Sequence, residues 1–123
     1  MNKTYYTRTH EWVEFISESK ARVGLTDFAQ ESMGDLVFIN LPEVDDEVIV
    51  DESFADVESV KAVEDVLSPL TGIVSAINDD LLDTPELINQ EPYEAWLVEI
   101  DNITEKGELL DEDEYKKVLS EEE

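Results

Sequence analysis

Cysteine is missing from this 123-residue chain, and its absence removes a disulfide framework, a thiolate metal centre and a cysteine nucleophile together. Any redox chemistry has to be borrowed from a cofactor. Histidine occurs once, at His10, so a histidine metal cluster or a histidine-based triad lacks donors, and a structural role beside Glu11 and Trp12 is the expectation. Basic residues are scarce: 8 Lys and Arg against 33 Asp and Glu leave a net charge of −25. Such a surface repels nucleic acid phosphates and anionic lipid. No apolar run approaches the roughly 20 residues of a membrane-spanning helix. Met1-Asn2-Lys3-Thr4-Tyr5 lacks the charged-then-apolar pattern of a secretory signal and is not an Arg/Ser-rich transit peptide. A cytoplasmic protein is expected, with a mature matrix protein that has lost its targeting segment as the other reading.

What is present fits one small domain spanning 1–123. A hydrophobic fraction of 41% is enough for a modest core without metal or disulfide. The acidic field favours partners with basic docking surfaces and a monomer that does not self-associate, and it also serves solubility. Short alternating runs predict strands: Trp12, Glu14 and Ile16 against Val13 and Phe15; Leu36, Phe38 and Asn40 against Val37, Ile39 and Leu41; Ile73, Ser75 and Ile77 against Val74 and Ala76; Trp96, Val98 and Ile100 against Leu97 and Glu99. Many short strands point to a sandwich or barrel. Two stretches break the pattern. Thr26 as a capping hydroxyl and Gly34 as a terminal glycine bracket a helix of about two turns near 27–33. Asp111 with Glu114 three residues on, followed by Tyr115, Val118 and Leu119 at helical spacing, predicts a helix near 112–120 with a frayed tail from Ser120. Gly34 to Asn40 and Gly72 to Asn78 echo each other, as two similar halves or by chance. Asn78, Asp79, Asp80 and Asp83 lack the glycine that a calcium loop needs for its sharp turn.

One segment stands apart. Phe54-Ala55-Asp56-Val57 and Val63-Glu64-Asp65-Val66 read as two strands meeting at a polar tip that carries Lys61, within Glu58-Ser59-Val60-Lys61-Ala62. A lysine offers a long flexible stem ending in one amine. Acylated there, it becomes a tethered arm on a stiff support.

That pentapeptide and its surroundings resemble the lipoyl-lysine site of the H proteins of the glycine cleavage system. The resemblance runs from about Tyr6 to Tyr115. Tyr6 to Val13 is similar to the family's opening strand, and Val23 to Gln30 to the segment after it. Gly34 to Ile39, Leu41 to Val44, Ser68 to Gly72, Ile77-Asn78, Leu87 to Asn89, and Pro92-Tyr93 with Trp96 follow in the family's order. The resemblance implies a mainly β fold, a flattened barrel-sandwich hybrid of two antiparallel sheets. It implies lipoate covalently attached to Lys61, with Glu58 read by the lipoylating enzyme and with Thr9, Glu11 and Asp65 docking the arm. Biotin carriers of this fold usually flank the lysine with methionine, where this chain has Val60 and Ala62. The implied function is a non-catalytic shuttle. It takes an aminomethyl group from a pyridoxal-phosphate glycine decarboxylase to a folate-dependent aminomethyltransferase, and its reduced arm then goes to a flavin-dependent dihydrolipoyl dehydrogenase. The chain departs from the family at Asp45, Asp51, Ala55 and Ala95, where glycine is common. Those departures keep a divergent relay of lipoyl groups to other acceptors in play. An acidic interaction protein that mimics a polyanion is the reading from a different class.

Overall fold

The computed structural model describes residues 3–122. Nine strands form two antiparallel sheets among these residues. They are β1 (Lys3–Tyr6), β2 (Glu11–Phe15), β3 (Ala21–Leu25), β4 (Leu36–Asn40), β5 (Glu47–Val48), β6 (Ser53–Ser59), β7 (Val63–Leu67), β8 (Leu70–Ile77) and β9 (Val98–Lys106). The larger sheet runs β1-β2-β3-β9-β8-β5 and the smaller β4-β6-β7. Val13, Val23, Ile39, Val57, Val66, Leu70, Val74 and Leu97 belong to one buried cluster drawn from both sheets. Each fully buried aliphatic of this kind contributes about 1.5–3 kcal/mol relative to exposure. The mainly β, two-sheet expectation holds.

Both expected helices form. In α1 (Asp27–Met33), Thr26 Oγ1 accepts from the Ala29 N–H, Asp27 supplies negative charge to the first turn, and Gly34 ends the helix at φ 82°. In α4 (Glu112–Glu122), Asp111 and Glu114 cap reciprocally: the Glu114 N–H donates to Asp111 Oδ1 at 2.8 Å and the Asp111 N–H to Glu114 Oε1 at 3.0 Å. Tyr115 and Val118 are buried with Leu110, and Leu119 and Tyr6 pack against them. The frayed tail is corrected, because the helix continues through Ser120 to Glu122. Glu122 is held from outside the helix, by the His10 ring. Glu123 lies outside the described residues.

Other expectations shift. The segment from Tyr6 to Val13 is no single strand; it is the end of β1, a turn and most of β2. Strand β4 does not alternate as read, because a bulge between Leu36 and Phe38 turns both Val37 and Phe38 outward. In β2, Trp12 and Val13 are both buried, since each face of that strand is covered. Trp12 stacks over Gly24, its partner in the ladder, where a Cβ would come within 2.5 Å of the indole. Two single-turn helices, α2 (Asp80–Asp83) and α3 (Leu87–Gln90), occupy the span after β8 and each bury one aliphatic, Leu81 and Ile88. The echo between Gly34 and Gly72 is superficial at its glycines: Gly34 caps a helix, whereas Gly72 lies inside β8, pressed against the Asp101 carbonyl.

The aspartates standing where glycine is common explain themselves. Asp45 and Asp51 adopt φ of 81° and 67°, a region aspartate enters more readily than most residues. Ala55 and Ala95 are not among the residues with positive φ, so alanine meets no strain there. The chain keeps the turns without the glycines.

Candidate functional site

Strands β6 and β7 form a hairpin whose turn is residues 60–62. Ser59 makes this turn stiff. Its hydroxyl oxygen accepts from the N–H groups of Lys61 at 3.3 Å and Ala62 at 3.1 Å, while the Ser59 N–H donates to the Ala62 carbonyl at 2.8 Å. Two of the turn's N–H groups and the Ala62 carbonyl are thus satisfied locally, and Val60 and Lys61 project into solvent. Lys61 Nζ has no hydrogen-bond or ion-pair partner among the described residues. Its stem leans towards α1, with Cε 3.2 Å and Nζ 3.8 Å from where a Cβ on Gly34 would sit. Glycine at that helix end leaves room for the stem.

Asn89 fixes the same corner from α3. Its amide nitrogen donates to the Gly34 carbonyl and to Gln30 Oε1, both at 2.9 Å, and its Oδ1 accepts from the Leu36 N–H at 2.9 Å. Asn89 received no role from the sequence, because these three partners are far from it along the chain.

Beside the hairpin lies a cleft of about 110 Å³. Leu25, Phe28, Ala29, Met33, Val57 and Val66 supply apolar wall, and Thr9, His10, Glu11, Ser32, Glu64 and Asp65 supply polar groups. The three docking residues expected from the sequence therefore line one cavity, although they come from the β1–β2 turn, β2 and β7. No lysine or arginine lines it. Glu11 is 3% exposed. Thr7 Oγ1 donates to its Oε1 at 2.6 Å and Thr9 Oγ1 donates to the same oxygen at 2.5 Å. Burial pushes the Glu11 carboxyl above the usual range, and the Thr7 and Thr9 donors oppose that shift. The hairpin ladder separates the two acidic residues of β7. Glu64 stands opposite Val57 and Asp65 opposite Asp56. Glu58 is opposite both Val63 and Phe38 on the outer face of the small sheet.

His10 also touches the cleft, at φ 71°, and ties it to the C-terminal helix. Its Nε2 is 2.6 Å from Glu122 Oε2 and its Nδ1 is 2.8 Å from the Tyr115 hydroxyl, which is 2.7 Å from Thr26 Oγ1. With a neutral ring the donors run in one direction: Ala29 N–H to Thr26, Thr26 O–H to Tyr115, Tyr115 O–H to Nδ1, and Nε2–H to Glu122. Burial first, with the Thr26 bond opposing, pushes the Tyr115 hydroxyl up to about 12, so it keeps its proton at physiological pH. One chain of bonds thus joins α4 to the N-terminus of α1, a wall of the cleft.

The family model described as Glycine cleavage H-protein matches residues 4–122. The chain belongs to that family. It is 59% identical over 117 residues to the glycine cleavage system H protein of Lachnoclostridium phytofermentans, covering 95% of this chain and 92% of that one. With the H protein of Vibrio campbellii the identity is 48% over 126 residues, covering 99% and 100%. The crystal structure of the glycine cleavage system H protein from Mycobacterium marinum superposes with a TM-score of 0.89 at 38% identity, covering 96% of this chain and 97% of that one. Members of the family carry lipoate covalently on a lysine. The protein is accordingly a non-catalytic lipoyl carrier of the glycine cleavage system. It works with glycine decarboxylase, aminomethyltransferase and dihydrolipoyl dehydrogenase. Membership displaces the polyanion-mimic reading. Among the described residues no helix is long and apolar enough to cross a membrane, and no group of three His, Asp or Glu side chains is placed to hold a metal.

Proposed function

We propose that Lys61 is the residue that bears the lipoyl group, within a single carrier domain of residues 1–123. The observation that carries this is the amine at the tip of a hairpin stiffened by Ser59, unpaired and leaning towards α1 beside the cleft. The residues present suit such a group. An exposed amine is open to acylation, and the apolar wall of Leu25, Phe28, Met33 and Val66 can receive a hydrocarbon chain and its sulfur-bearing head.

When attached, lipoate supplies a disulfide that is reduced as it takes up the aminomethyl group. The chain's own residues tether, dock and shield. The Lys61 stem holds the reactive head near each enzyme that the carrier visits and raises its effective concentration there. Val57, Phe28 and Met33 keep water from one side of a docked arm. Glu11, oriented by Thr7 and Thr9, offers a charge-assisted hydrogen bond to the protonated amine of the cargo. Thr9 is a second polar contact at the mouth, and Asp65 lies at the rim. Glu58, exposed on the outer face three residues before the lysine, serves the lipoylating enzyme as a recognition mark. The bacterial relatives support work in the bacterial cytoplasm.

Intact-mass measurement tests the assignment. Co-expression with a lipoylating enzyme and lipoate is expected to add one lipoyl mass to the wild type and none to Lys61→Arg. A lipoyl mass on Lys61→Arg overturns it.

A further inference from the structure

We infer that the outer face of the small sheet, where Glu58 stands between Phe38 and Val63, is the surface on which the enzyme that acylates Lys61 docks. The inference rests on Lys61 as the attachment point, and it adds to Glu58 the apolar contact that makes this carboxylate readable. Residues directly opposite one another in a ladder share a face. Glu58 is opposite Phe38 on one side and Val63 on the other, so the three form a row across β4, β6 and β7. Phe38 is 47% exposed, Val63 64% and Val60, at the turn, 76%. The row exists because of the bulge. Leu36 pairs with Ser59 and Phe38 with Glu58, whereas in an unbroken ladder Val37 would face Glu58 and Phe38 would meet Val57 in the core. The extra residue leaves an aromatic ring in water. Single exposed apolar side chains are ordinary, but a row of them flanking a carboxylate beside Lys61 has the make-up of an interface.

The face also states what it fits. None of β4, β6 and β7 contains a lysine or arginine, and Asp56 adds a carboxylate that accepts from Asn40 Nδ2 at 2.9 Å. Glu58 forms no ion pair among the described residues. Its complement is a surface with one Lys or Arg placed for Glu58 inside a ring of apolar side chains. Closing over Phe38 and Val63 removes water from around that charge pair, and such shielded contacts dominate an interface. Reach selects the visitor. The bare amine ends a four-carbon stem, so an enzyme acylates it only by covering the hairpin tip, with the reacting carbonyl about 3–3.5 Å from Nζ. There Nζ attacks the carbonyl carbon of a mixed anhydride or thioester of lipoate. The amide bond forms, the bond to the leaving group breaks with its electron pair, and Nζ gives up a proton. Once attached, the arm carries its sulfur atoms beyond the stem, and later enzymes reach them without covering this face.

The test uses the full-length unmodified protein as wild type, as Phe38→Thr/Val63→Thr, and as Val44→Thr, a control at an apolar side chain exposed elsewhere. Threonine keeps the branching that strands favour, and thermal melts check that all three fold. Initial rates of lipoylation are read by intact mass over a range of carrier concentrations, with a purified lipoylating enzyme and its activated donor. The double variant is expected to raise KM about tenfold at unchanged kcat, the size of a lost hot-spot contact. Val44→Thr should match the wild type. In a Glu58→Gln background the same two changes should raise KM only about threefold, because the charge pair they shield is gone. Labelling of Lys61 by a small water-soluble active ester, read by peptide mass, should proceed alike in all variants, since no protein docks. A wild-type KM for the double variant, an equal rise in Val44→Thr, or slowed ester labelling overturns the docking surface while leaving Lys61 standing. So does a double variant that is acylated normally but, once lipoylated, shows a raised KM with glycine decarboxylase. A lipoyl mass on Lys61→Arg overturns the attachment reading and this one with it.

Discussion

Replacing Thr26 with valine keeps the shape of the side chain and removes one oxygen, and that oxygen has two duties. It caps α1 by accepting from the Ala29 N–H at 3.3 Å, and it bonds the Tyr115 hydroxyl at 2.7 Å in a fully buried position. Loss of a Ser/Thr N-cap costs about 0.5–2 kcal/mol. Loss of one buried hydrogen bond costs about 0.5–1.5 kcal/mol when a second partner remains, and the Tyr115 hydroxyl keeps His10 Nδ1. Together these give a destabilisation of about 2 kcal/mol, which for a domain of this size lowers Tm by roughly 6–10 °C. Urea unfolding followed by Trp fluorescence measures it. A double-mutant cycle with Tyr115→Phe isolates the shared bond: the double variant should be less destabilised than the sum of the singles by about 1 kcal/mol. Because α1 forms one wall of the cleft, amide exchange should quicken at Phe28 and Ala29 as well as in α4. A Thr26→Val protein within about 0.5 kcal/mol of wild type, or strict additivity with Tyr115→Phe, refutes the coupling of α4 to α1 through this hydroxyl.

Glu11→Gln tests the cost of the buried carboxylate through its pH dependence. A carboxyl whose folded pKa is raised above its unfolded value, here 4.5, destabilises the fold once ionised. That cost is absent at lower pH and grows as pH rises through 4.5 towards the folded value. The stability difference between Glu11→Gln and wild type should therefore move in the variant's favour from about pH 4 to pH 7; melts showing no trend, or the reverse, refute it. Asp111→Ala should cost about 1 kcal/mol by removing half of the reciprocal cap of α4, read as a lower urea midpoint at unchanged slope with faster amide exchange at Glu114.

The helices were legible because their ends are written locally: Thr26 and Gly34 around α1, and Asp111 with Glu114 ahead of α4. Helices α2 and α3 had no such signature. Neither Asp79 nor Glu86 makes a side-chain cap, and a single turn is too short for a period to show. The lysine hairpin could be read from its flanking strands, but the facing of each residue could not. Face depends on register, and Glu64 and Asp65 exchange places if the β6–β7 pairing slips by one. The bulge in β4 is likewise invisible to alternation, since it exists only relative to β6. Contacts joining distant segments, such as Asn89 to Gly34 and His10 to Glu122, arise only once the sheets have assembled.

Strand β9 lies between β3 and β8 and is the sole bridge joining the two halves of the larger sheet. During synthesis it leaves the ribosome after the eight strands that precede it. Until then β3 and β8 both present bare edges, and the β1-β2-β3 half, which supplies Glu11 to the cleft, is not yet joined to the rest of its sheet. The hairpin with Lys61 is local and can close earlier. A nascent chain can thus display the lysine proposed for attachment before it owns the complete cleft beside it.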